Sequence, residues 1–199
     1  MKNLLYSIAD SAKQLKNPLA LVVTALMIAL GVVLHTFGTI SISEALMLKW
    51  AFLPMAVVGM MYGAVPAALC GGLIDLISTL MMPKAGGGFF VGITLCMMAS
   101  GFLYGLFLYR AEKLTVRIIL CTIVNFVAVT MLLTTAVLSF SFGSTFMAML
   151  LPRFIKAVFM PVEAIVLILI LKPLKNRLKN QAVFKVILLV VRYVSGYHF

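Results

Sequence analysis

Charge is scarce in this chain, and negative charge most of all. Only 11% of its 199 residues are charged, with five Asp and Glu against 16 Lys and Arg. A soluble domain of this length needs a charged exterior, so that class is excluded. Cysteine is also sparse. Cys70, Cys96 and Cys121 stand singly in apolar runs, with no Cys-x-x-Cys and no His at metal-ligand spacing, so they read as small buried hydrophobes. No metal or cofactor is expected. Nucleotide-binding loops are missing: Gly86, Gly87 and Gly88 are followed by no Walker-type Lys and Ser. A membrane serine protease needs Gly-x-Ser-Gly. Here Met98-Ala99 precede Ser100-Gly101, and His35 stands at a span end, so no nucleophile–base pair emerges. The chain reads as no enzyme.

What is abundant is hydrocarbon. Hydrophobic residues make up 64% of the chain, and the mean hydropathy is +1.18. The expected fold class is an all-α polytopic membrane protein with six transmembrane helices, over about 19–37, 46–62, 66–82, 89–109, 118–140 and 150–171. Residues 1–17 form an interfacial amphipathic segment, and 18–172 the transmembrane domain. The basic tail, 173–199, reads as an interfacial helix rather than a seventh span. GTISIS, PKAGGG and SFGSTF read as loops. The net charge of +11 does not imply nucleic acid, because the basic residues cluster beside apolar spans without an aromatic platform. Twelve of the 16 Lys and Arg fall on the side that holds both termini, which makes that side cytoplasmic.

Ionisable residues inside such spans are costly and point to a polar site. Arg153, Lys156 and Glu163 interrupt the last apolar run and share a helical arc of about 80°. A cationic pair above a carboxylate suits an anionic ligand. Asp75, in CGGLIDLIS, lies near the middle of the third span. It reads either as a carboxylate bonded to a neighbouring helix or as an acceptor for an N–H-rich heterocycle. Glu163 carries the same ambiguity. Gly86, Gly87 and Gly88 read as a simple turn or as a gate over an outward-facing pocket. Ala25 and Ala29 give the first span a small-xxx-small pair free for an external partner, whereas Gly59 with Gly63 and Gly101 with Gly105 read as internal packing.

In order and spacing, the blocks LKWAFLPMAVVGMMYG, CGGLIDLIS, GGGFFVGITL, SGFLYGLF, TTAVLSFSFG and LPRFIKAVFMPVEAIVL resemble the folate-family substrate-binding (S) component of energy-coupling factor (ECF) vitamin transporters. The resemblance covers about residues 18–175. It implies a six-helix bundle in the bacterial plasma membrane that binds folate, a reduced folate or another anionic vitamin. It implies as partners a transmembrane coupling subunit and two cytoplasmic ABC ATPases, which topple the bundle to release the vitamin. Arg153 and Lys156 would hold the carboxylate tail. Asp75, Glu163, Thr94 and Ser139 would supply polar contacts, and Trp50, Phe52 and Phe90 would supply stacking faces for a flat head. Ala25 and Ala29 match the family's docking signature. This chain has Val137 where the family commonly has Trp. Two other readings stay open: a proton-coupled carrier using Asp75 and Glu163, and a non-transporting scaffold.

Overall fold

The computed structural model describes residues 10–38, 40–43, 46–48, 50–81, 91–109, 111, 114–142 and 160–194. In hydrocarbon each backbone N–H and C=O must be satisfied within its own segment, so the long apolar runs become helices. Helix α1 (Pro18–Thr36) is capped by Asn17, whose Oδ1 accepts from the Leu19 N–H at 3.2 Å, and it opens on Pro18, where no donor is needed. An antiparallel hairpin follows, β1 (Ile40–Ser43) with β2 (Leu46–Leu48), with Ile40 opposite Leu48. Then come α2 (Phe52–Tyr62), α3 (Ala64–Met81), α4 (Val91–Leu108) and α5 (Leu114–Asn125). A π-helical segment (Phe126–Leu133) joins α5 to α6 (Thr134–Phe142), and α7 runs from Met160 to Val194. Among the described residues, four helical stretches are long and apolar enough to cross a membrane: Pro18–Thr36, Ala64–Met81, Val91–Leu108 and Leu114–Val137.

Three boundaries differ from the sequence reading. The expected loop GTISIS contains a strand, whose alternation of Ile and Ser over 40–43 is the period of two that a strand requires. The expected second span loses its first turns, because Leu46–Leu48 pairs with that strand and α2 begins only at Phe52. The part of the expected sixth span from Met160 onward and the expected tail as far as Val194 form one helix of 35 residues, which passes through Pro173 without ending.

The core is closed by small residues. A Cβ placed on Gly59 of α2 would lie 2.8 Å from the backbone nitrogen of Gly105 in α4, so the two helices meet backbone to backbone. Gly63 turns α2 into α3 with φ +93, a conformation that L side chains rarely adopt. Three ties gather at this Gly63 end. The fully buried Ser11 accepts from the Val65 N–H at 2.9 Å, satisfying a first-turn donor of α3. Tyr109 donates its hydroxyl to Asp10 at 2.9 Å, and Lys175 donates to the carbonyl of Ala111.

Candidate functional site

The site is shaped by unequal helix lengths. Helix α2 has 11 residues and α3 has 18, and both lead away from Gly63, so α3 runs on about 10 Å beyond the head of α2 at 1.5 Å per residue. Contacts fix the heights. Gly71 of α3 lies against Met55 of α2 and the Met97 carbonyl of α4, and Gly31 of α1 lies against Ile74. Phe52 is therefore level with Ile74. The outermost turns of α3, which carry Asp75 and Ser78, overlook a step at the hairpin end of the bundle.

Asp75 is 4% exposed and accepts from the Thr94 hydroxyl of α4 at 2.9 Å. Burying a carboxylate is costly unless hydrogen bonds compensate, and this one offsets part of that cost. The head of α2 helps as well. Its cap residue, Ala51, supplies no side-chain bond and its first turn holds no acid, so neither offsets the positive end of the helix dipole, which lies near the level of Asp75. Trp50 and Phe52 stand at the same head with ring centroids 6.1 Å apart and planes at 28°, a stacked pair.

The structure thus brings together four residues singled out by sequence: Asp75 with Thr94, and Trp50 with Phe52 at the head of α2. Ser139 donates to the Ala136 carbonyl within its own helix at 3.1 Å. Val137 packs directly on Gly92, seating α6 on the start of α4. Glu163 stands half-buried in the first turn of α7. Ala25 and Ala29 both face outward from α1, whereas Ala20, Thr24, Gly31, Val32 and His35 face inward. Phe90, Arg153, Lys156, Gly86, Gly87 and Gly88 lie outside the described residues.

Sequence reasoning passed over Ser78, a 4%-exposed serine one turn beyond Asp75. It also gave no hint of an apolar groove of about 400 Å³ where Ala68 of α3 and Ala99 of α4 face Ala128 of the π-helical segment. That groove has no polar side chain to orient a ligand, so it lacks what the step has. Among the described residues, no three His, Cys, Asp or Glu side chains converge as a metal site would require.

Residues 19–193 match the family described as ECF transporter, substrate-specific component. The chain is 28% identical over 154 residues to the folate transporter FolT of Clostridium novyi (strain NT), an alignment covering 77% of this chain and 88% of that protein. It also superposes on the crystal structure of FolT bound with folic acid, with a TM-score of 0.69 and 30% identity over 76% of this chain and 91% of that one. With its helical bundle and its buried carboxylate at the hairpin end, the chain belongs to the substrate-specific components of ECF transporters.

Proposed function

We propose that this protein is the membrane subunit that captures folate, or a reduced folate, for an ECF-type ABC importer. The observation that carries the reading is the likeness, over three quarters of the chain, to a protein whose crystal structure holds folic acid. The chemistry of the step is compatible with it. A pterin head offers N–H groups to Asp75 and a flat face to Trp50 or Phe52, with Phe90 as a further stacking partner. Thr94, Ser139 and Glu163 supply polar contacts, and Arg153 and Lys156 clamp the glutamate carboxylates of the tail. Gly86, Gly87 and Gly88 form a gate over the ligand.

Six spans cross the bacterial plasma membrane, over residues 18–172, with both termini in the cytoplasm. The segment 1–17 and the tail 173–199 lie along the cytoplasmic face. Ala25 and Ala29, exposed on α1, dock on a transmembrane coupling subunit energised by two ABC ATPases.

The test has two arms. Mass spectrometry of small molecules released from the purified protein should find a folate. Uptake of labelled folic acid by cells expressing the chain should require the co-expressed ATPase module. A bound ligand of another class would remove the folate assignment, and module-independent uptake would favour a secondary carrier. If Arg153 and Lys156 form the clamp, Arg153→Ala should weaken folic acid by about ten- to a hundredfold and barely affect an analogue without the tail.

A further inference from the structure

Ser78 is 4% exposed, yet among the described residues its hydroxyl has no hydrogen-bond partner. A helical serine or threonine ordinarily donates to a carbonyl one turn back, as Thr122 does to Ile118 at 2.9 Å. A buried hydroxyl without a partner costs stability that an alanine would not. The hydroxyls of Thr24, Thr36 and Tyr62 share that state, and Ser78 differs from them in standing one turn from Asp75 on the same helix.

The direction in which Ser78 points identifies the place. Ser78 follows Gly71 by seven residues, two helical turns, and so projects from the same side of α3. At Gly71 that side meets the Met97 carbonyl of α4 and the thioether of Met55 of α2. Two turns farther out α2 has ended: the position that would correspond to Met55 there is residue 48, in β2. On its α2 flank Ser78 thus borders the step, one turn beyond Asp75. On the other flank, α1 runs parallel to α3 and touches Ile74 at Gly31, so one turn on it brings the buried His35 to the level of Ser78. That helix separates the hydroxyl from the bilayer and disfavours a lipid as its partner.

We infer that Ser78 is a further recognition residue, whose hydroxyl pairs with a ring nitrogen, amino or oxo group of a flat heteroaromatic head already held by Asp75. This rests on the folate reading above and adds to it a second polar contact to the head, from the same helix.

The test uses the full-length protein and its Ser78→Ala and Ser78→Thr variants, titrated by calorimetry with folic acid and with pteroic acid, which lacks the glutamate tail. Ser78→Ala should weaken both ligands alike, by about threefold to tenfold. The melting temperature of the ligand-free protein should stay unchanged or rise, and Ser78→Thr, which keeps the hydroxyl, should recover affinity. Unchanged affinity in Ser78→Ala overturns the inference. A lowered ligand-free melting temperature also overturns it, since the hydroxyl would then serve the fold, for instance through a buried water. A loss confined to folic acid overturns the assignment to the head. If the unaltered protein binds no folic acid, the folate reading falls and takes the inference with it; if it binds and Ser78→Ala binds equally, the inference alone falls.

Discussion

Asp75 is a carboxylate almost sealed from solvent, and among the described residues the hydroxyl of Thr94 is the donor that reaches it. An ionised carboxylate has about four acceptor sites, so one hydroxyl leaves room for a ligand's N–H groups. Asp75→Asn keeps the shape but exchanges one acceptor oxygen for a donor. It should weaken folic acid and pteroic acid together by at least about tenfold, the loss of one charge-assisted hydrogen bond. Calorimetric titration of both ligands checks this, and unaltered pteroic acid affinity would make the Asp75–Thr94 pair structural. Asp75 was legible in the sequence because a charge in an apolar run stands out. Thr94 was legible through the family resemblance, not through its chemistry. Ser78 was not legible, because a serine that bonds back within its helix and one that does not are spelled the same way.

Among the elements, α1 carries its apolar residues all round, so its sequence alone could not say which side faces the core. Packing decides it: Ala20, Thr24 and Gly31 are inside, while Ala25 and Ala29 are outside with Leu21, Val22 and Leu26. Replacing Ala25 or Ala29 by Trp should therefore abolish uptake, because a second helix could no longer approach, and should leave folic acid binding by the isolated subunit intact. Paired uptake and binding assays read the two effects separately; loss of binding would assign these residues to internal packing. The short α2 was hidden because 46–62 is apolar but for Lys49, and hydropathy does not distinguish a strand followed by a helix from a longer helix. The π-helical segment was hidden for a different reason. Hydroxyls select its register, with Thr134 donating to the Val129 carbonyl at 2.8 Å and Thr135 to that of Thr130 at 3.3 Å, five residues back in each case. No apolar periodicity encodes that choice.

For the molecule as a whole, the two ends differ in composition. The Gly63 end collects Lys13, Lys16, Arg117, Lys172, Lys175 and Arg177, along with the ties of Ser11, Tyr109 and Lys175. The hairpin end carries the step. The positive-inside rule would put the Gly63 end in the cytoplasm. A cysteine introduced at residues 84–88 should then react with a membrane-impermeant reagent in intact cells, while one at the C-terminus should not. Labelling of the C-terminus from outside would remove the six-span arrangement. The overall bundle was legible from composition, since hydrocarbon leaves helices as the simplest solution; the ends were less so, because they depend on individual hydrogen bonds.

Trp50 is the sole indole of the chain, and it stands against Phe52 at the head of α2. The near-ultraviolet emission of the protein excited through tryptophan therefore originates at one place, beside the step. Folic acid arriving there should quench that emission in a saturable, one-to-one titration, and the quench should vanish in Trp50→Phe even where calorimetry still detects binding. Docking of a partner on α1 should leave the same emission nearly unchanged. The protein thus carries an optical reporter that distinguishes an occupied step from an engaged flank without any added label.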